Sequence, residues 1–222
     1  MATMFARHSL VWLSAPGWQA ARAAAVAAGH AEALERWRDA DWPLVARRHD
    51  PDADVDQVCL GLPSPPDPAS GARRRFALRV PADYVARSAP PLPLKAALAS
   101  LPQPWGGALA RLRDASVGLE LRVYGSAAMQ ALTGLAYLRP GSDIDLLLYP
   151  ATAQQLRAGL ALLERFDAAP ALDGEIVFPN GAAVAWREWR AAEAGHARVL
   201  VKAADAVRLS STNALLATLR AP

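Results

Sequence analysis

The sequence predicts an α+β protein: a small mixed α/β domain over residues 1–88, then a domain over residues 89–222 with a mixed β-sheet flanked by helices. Three observations predict it. The 222 residues are 53% hydrophobic and 20% charged, a globular composition with length for one large domain or two small ones. Segments of helical and strand period alternate along the chain, with no internal repeat. Proline, which fixes φ and lacks a backbone donor, is clustered at 63–68, 90–93 and 102–104. These clusters read as loops and linkers, and the second puts the domain boundary near residues 86–93.

In chain order, Ser9 to Leu13 is an apolar strand. A helical segment runs from about Pro16 to Ala40 and is broken at Gly29. Leu44 to Ala46, Val58 to Leu62 and Arg75 to Val80 are short strands. The second domain opens with helices at Leu94–Ser100 and Gly106–Ala115. A strand at Gly118–Tyr124 turns at Gly125-Ser126 into a short helix, Ala127 to Leu132, which Gly134 stops. Ser142 to Tyr149 is the next strand. Leu156, Leu160, Leu163 and Phe166 form the apolar stripe of a helix over 153–166. Ala171–Phe178 and Ala182–Trp186 form a hairpin about Asn180-Gly181, a strong turn pair. Arg198–Lys202 and Ala206–Leu209 are the last strands.

Composition excludes several classes. Cys59 is the single cysteine, so no intrachain disulfide can form and a cytoplasmic setting is expected. No apolar stretch reaches membrane-spanning length, and Met1 to Leu13 lacks the pattern of a signal peptide. The net charge of +3 is compatible with an anionic partner, but the excess is nearly all arginine, with Lys95 and Lys202 the only lysines. Together with the abundance of alanine and proline, that pattern reads as coding bias. A Gly-x-x-x-x-Gly-Lys-Ser/Thr loop is absent, as is a Gly-x-Ser-x-Gly elbow, which argues against P-loop and α/β-hydrolase chemistry.

The chemistry lies in the second domain. Gly125-Ser126 sits between a strand and a helix N-terminus, where backbone N–H groups and the helix dipole favour a phosphate. The bland alternative is an ordinary turn with Ser126 as N-cap. Asp143 and Asp145, at i and i+2 on an apolar strand, point to one face. Paired carboxylates there repel each other unless a cation lies between them. Hard Mg²⁺ takes such oxygen ligands, and two ions about 4 Å apart form the usual clamp for phosphoryl or nucleotidyl transfer. A third acid is offered by Asp173 and Glu175; Glu175, which leads directly into an apolar run, is preferred as metal ligand or proton acceptor. Asp173-Gly174 could equally form only a turn.

Other charges are less specific. Asp50 to Asp56 resembles the start of a calcium loop but lacks its glycine and its later glutamate, so it reads as an exposed acidic loop. Arg73 to Arg75 read as a solvated strand start. Arg47 and Arg48 follow an apolar strand, and Lys202 ends one; each could meet an anionic substrate or simply face water.

Tyr124-Gly125-Ser126 with Asp143-Ile144-Asp145 resembles the polymerase-β-like nucleotidyltransferase superfamily, with a longer gap between the two motifs that implies an inserted loop at 137–142. A closer likeness covers nearly the whole chain. It rests on Val123 to Gly134, Tyr137-Leu138, Ser142 to Leu147, Asp173-Gly174-Glu175 with Phe178-Pro179, Val184 to Glu188, and Val199 to Lys202. In the first domain it rests on His8 to Leu13, Trp42-Pro43 and Arg47-Arg48, with Ser9 standing where the family more often has an acid. By these residues the chain is similar to the phosphoribosyl-dephospho-CoA transferases, also called malonate decarboxylase holo-acyl-carrier-protein synthases.

The resemblance implies a nucleotidyltransferase-like second domain and a reaction. Phosphoribosyl-dephospho-CoA would pass from 2′-(5″-triphosphoribosyl)-3′-dephospho-CoA to a serine of the apo acyl-carrier subunit of malonate decarboxylase, with release of pyrophosphate. Asp143, Asp145 and Glu175 would be catalytic and hold Mg²⁺, as two ions. Gly125, Ser126, Arg47, Arg48 and Lys202 would bind substrate. Nucleic acid and membrane are not expected partners. Transfer of another nucleotide, to a protein or a small molecule, is the competing enzymatic reading; a non-catalytic nucleotide- or carrier-binding module is the other.

Overall fold

Strands in this chain alternate with helices in such a way that two separate sheets form. In the computed structural model, which describes residues 5–168, 170–195 and 198–220, the chain divides into two units, Met1–Pro91 and Leu92–Pro222. Met1 to Met4, the start of the segment read for a signal peptide, lie outside the described residues. The protein is α+β, as the sequence predicts.

The first unit contains β1 (Leu10–Leu13), α1 (Ala15–Ala27), α2 (Ala31–Asp39), β2 (Leu44–Ala46), β3 (Gln57–Pro63), β4 (Arg75–Pro81) and β5 (Val85–Ala89). Its five-stranded sheet is antiparallel throughout, in the order β4-β3-β2-β1-β5. Buried Leu10, Val11, Leu44, Leu60 and Val80 supply its apolar centre. Leu34 and Trp37, at i and i+3 on α2, are buried as well.

The second unit contains β6 (Leu92–Pro93), α3 (Leu94–Ala97), α4 (Gln103–Ala115), β7 (Leu121–Val123), α5 (Gly125–Thr133), β8 (Ile144–Leu148), α6 (Ala153–Phe166), β9 (Leu172–Val177), β10 (Ala183–Ala185), α7 (Trp186–Gly195), β11 (Arg198–Lys202), β12 (Val207–Ser211) and α8 (Thr212–Leu216). Its seven-stranded sheet runs β12-β11-β10-β9-β8-β7-β6. β8 and β9 are parallel, and the other pairs are antiparallel. A parallel pair needs a crossover, and α6 supplies it. The Thr152 hydroxyl caps α6 by accepting from the Gln155 N–H at 3.2 Å. Leu156, Leu160 and Leu163 bury its apolar stripe with Ile144, Leu146 and Leu148 of β8.

The proline-rich stretch at 90–93 is less of a loop than the sequence implies. It is flanked by β5 and includes β6, each at the edge of its sheet. An edge strand needs backbone donors on one side only, so proline is tolerated there. The hairpin about Asn180-Gly181 forms as expected, but its second strand stops at Ala185 and α7 begins at Trp186. The residues between α5 and β8 form no helix or strand, and the loop is pinned: the Gln130 side-chain oxygen accepts from the N–H of Tyr137 at 3.1 Å and of Leu138 at 3.0 Å.

Candidate active site

The site grows from the turn between β7 and α5. Tyr124 leaves β7 in an extended conformation, and its N–H donates to the Asp145 carbonyl at 3.1 Å, tying the turn to β8. Gly125 follows with φ +63°, and a Cβ there would collide with the Asp145 carboxylate. Only glycine combines that backbone with so close an approach. The helix starts at Gly125 with Tyr124 as N-cap, so Ser126 stands inside the first turn instead of capping it. Ser126 is buried, 8% exposed. The N–H groups of this turn have no acceptor within the helix, and the dipole adds partial positive charge beside Asp145.

β8 carries the acids. Ile144, Leu146, Leu147 and Leu148 are buried, while Asp145 and the preceding Asp143 are half-buried. The parallel register sets Asp145 opposite Asp173 and Leu147 opposite Glu175. As a result, carboxylate oxygens of Asp143, Asp145 and Asp173 all lie within 4.8 Å of one another. Gly174, read as a possible turn, sits inside β9; a Cβ on it would strike the Leu146 backbone, so this residue permits the close pairing that aligns the acids. The structure therefore gathers Asp173, and not Glu175, with the Asp-x-Asp pair.

Glu175 has a different setting. It is 5% exposed, and its Oε1 accepts from Lys202 Nζ at 2.8 Å. A buried carboxylate is costly unless paired in this way. Sequence reasoning placed Glu175 and Lys202 in separate roles. Their pairing depends on register: Ala185 of β10 lies opposite Glu175, and Ala183 opposite Lys202 of β11.

Arg47 and Arg48 belong to the first unit. The Arg47 guanidinium donates to both carboxylate oxygens of Asp50, and its Nε donates to the Leu60 carbonyl at 3.1 Å. Arg79 donates to Asp50 at 2.8 Å and to Asp52 at 2.7 Å. The acidic loop is thus fastened by two arginines, and hydrogen bonds from Arg47 foremost, then Arg79, hold the Asp50 carboxyl far below the usual carboxylate range. Arg48 is exposed, as are Arg73 to Arg75.

All-oxygen donors with converging negative charge suit a hard divalent cation. Beside them lie a helix N-terminus and a backbone that only glycine allows, which suit phosphate. The combination can bring an anionic ester and a cation together at the end of β8. Among the described residues no helix is long and apolar enough to cross a membrane.

Known proteins resemble this chain along most of its length. A family model described as the phosphoribosyl-dephospho-CoA transferase MdcG N-terminal domain matches residues 6–91, and one described as the MdcG C-terminal domain matches residues 93–213. The chain is 40% identical to a phosphoribosyl-dephospho-CoA transferase of Xanthomonas campestris pv. campestris, over 96% of this chain and 97% of that protein. It is 38% identical to one of Bradyrhizobium diazoefficiens, over 91% of this chain and 88% of that protein. It is 35% identical to one of Pseudomonas aeruginosa, over 75% and 77% respectively. No solved structure matches the chain significantly. The chain belongs to the phosphoribosyl-dephospho-CoA transferase family.

Proposed function

We propose, from that family membership, that this chain is a nucleotidyltransferase that attaches a prosthetic group to a carrier protein. The donor is 2′-(5″-triphosphoribosyl)-3′-dephospho-CoA. The acceptor is a serine of the apo acyl-carrier subunit of malonate decarboxylase, and the reaction runs in the cytoplasm. The observation that carries this reading is the convergence of Asp143, Asp145 and Asp173 within 4.8 Å beside the first turn of α5.

In this reading Asp143, Asp145 and Asp173 hold Mg²⁺, as one or two ions; when bound, the metal offsets the charge of the triphosphate and of the departing pyrophosphate. The Gly125 backbone and the first-turn N–H groups of α5 orient the phosphate chain, with the Ser126 hydroxyl as a further donor. The serine oxygen of the carrier attacks the α-phosphorus in line. A phosphodiester bond forms, the bond from the α-phosphorus to the β-bridging oxygen breaks, and pyrophosphate leaves with that electron pair. Asp173, the most exposed of the three acids, is the carboxylate an incoming hydroxyl can reach, and its oxygen takes the serine proton. Positioning and charge neutralisation supply the rate. Arg47 is left out of this machinery because Asp50 and Leu60 already engage its guanidinium.

The test is the intact mass of the apo carrier after incubation with protein, donor and Mg²⁺. The expected result is a gain equal to phosphoribosyl-dephospho-CoA, abolished by EDTA and by Asp143→Asn. A carrier left unmodified by active donor would overturn the substrate assignment. Labelling from ATP instead would turn the reading to adenylylation.

A further inference from the structure

Glu175 and Lys202 are an expensive pair for the fold to maintain. Glu175 is 5% exposed, and with Ser126 it makes up the buried polar side chains among the described residues. Lys202 is one of only two lysines in the chain. Its side chain is 36% exposed and so partly open to solvent, while that of Glu175 is not. Replacing a buried ion pair with apolar residues is often neutral or stabilising, so stability alone gives little reason to keep it.

The strand register explains where the cation lies. Glu175 is on β9, Lys202 on β11, and β10 runs between them. Their Cα atoms are therefore two strand spacings apart, roughly 9.5 Å, and offset by two residues along the strands, so the two side chains extend toward each other to meet. They do so on the face of β10 that carries the small side chains of Ala183 and Ala185. Asp173 and Glu175 also share it, at i and i+2, with Cα atoms about 6.5 Å apart, so the carboxylate that meets the ammonium is the next residue on this face after the third acid of the triad. A positive charge thus follows directly after the cation-binding carboxylates along β9.

We propose that Glu175 is a positioning residue that holds the Lys202 ammonium in place, and that Lys202 binds the phosphate chain that leaves as pyrophosphate. This rests on the function proposed above, and it takes Glu175 out of proton transfer. A buried carboxylate already engaged by an ammonium is poorly placed to receive a proton from a large incoming protein. A lysine stem over two alanines is well suited to present a point charge to a flexible polyphosphate.

The test uses the full-length protein and Mg²⁺ with inorganic tripolyphosphate, titrated by calorimetry, together with steady-state kinetics on the donor. Lys202→Met removes the ammonium from which a buried carboxylate accepts and can unfold the chain, so the informative variant is the double change Lys202→Met with Glu175→Gln, which removes both charges. Its affinity for Mg-tripolyphosphate is expected to fall by about 10- to 100-fold, the loss of one charge-assisted contact. Lys202→Arg should recover most of it. Glu175→Gln alone should raise KM for the donor with kcat within a few-fold, whereas a general base would lose about 10²- to 10⁴-fold in kcat. A double variant that binds as tightly as the wild type would overturn the inference and leave the proposed function standing. Wild-type protein that fails to bind Mg-tripolyphosphate would overturn the proposed function, and this inference with it.

Discussion

Asp50-Pro51-Asp52 in the first unit and Asp143-Ile144-Asp145 in the second space two aspartates identically, yet their carboxylates meet different partners. Asp50 and Asp52 are met by Arg47 and Arg79, which turn the stretch into a fastened loop. Asp143 and Asp145 are met by a third carboxylate, Asp173. Arginine beside the acids pairs with them inside the protein; an acid across from them adds charge of the same sign, which suits a bound cation. What separates a structural clasp from a candidate metal centre is therefore which charged residues the fold brings beside the pair. For Asp145 the neighbouring strand is β9, reached only through the crossover of α6.

This contrast can be broken by exchange of charge. Asp145→Asn should lower transfer to the carrier by about 10³-fold, comparable to the loss of a principal electrostatic contact in a transition state. Asp50→Asn should leave the rate within about twofold, because Arg47 and Arg79 already engage this carboxylate within the first unit. Equal losses in the two variants would contradict the division of roles. A second comparison is thermal. Mg²⁺ at 100 times its Kd should stabilise the wild type by about 2.7 kcal/mol, read as a rise in Tm, and should do so in Asp50→Asn but not in Asp143→Asn. Gly125→Ala should cost about 1–2 kcal/mol in denaturant unfolding, because a Cβ is forced into left-handed backbone, and should also displace the Asp145 carboxylate and slow transfer.

The smallest effect concerns the clasp. Asp50→Asn should destabilise the first unit by about 1 kcal/mol, measured by urea unfolding at neutral pH. The folded-state carboxyl titrates below its ordinary value of 3.8, so its contribution is fully present above that pH. It is lost as pH falls through 3.8 towards the lower folded value. The gap in stability between wild type and Asp50→Asn should therefore close below about pH 4.

The legible parts of this molecule are those encoded locally. Alternation at Asp143 and Asp145 marks a strand with one acidic face, the leucines at 156, 160 and 163 mark α6, and Asn180-Gly181 marks the hairpin. Which of Asp173 and Glu175 lies beside the Asp143–Asp145 pair was not legible, because the two have the same local spacing and only the β8–β9 register separates them. Edge strand β6 was hidden by a proline that marks loops elsewhere. The helix α7 did leave a sign, since Trp186 and Trp189, at i and i+3, are buried in one core, but the apolar run ahead of it read as a continuing strand. The partners of Arg47 and Lys202 were invisible because ion pairs between distant segments follow from topology.

The parallel pairing of β8 and β9 also gives the site a place in the folding sequence. Asp143 and Asp145 are adjacent in any conformation of the chain, but Asp173 joins them only after the α6 crossover has closed a long loop. Non-local parallel pairing forms slowly, and the nascent chain presents two acids long before it presents three. Cation binding by the three acids would then be a clock for the maturation of this unit: a refolding chain should take up metal in step with the docking of the crossover, not with the collapse that precedes it.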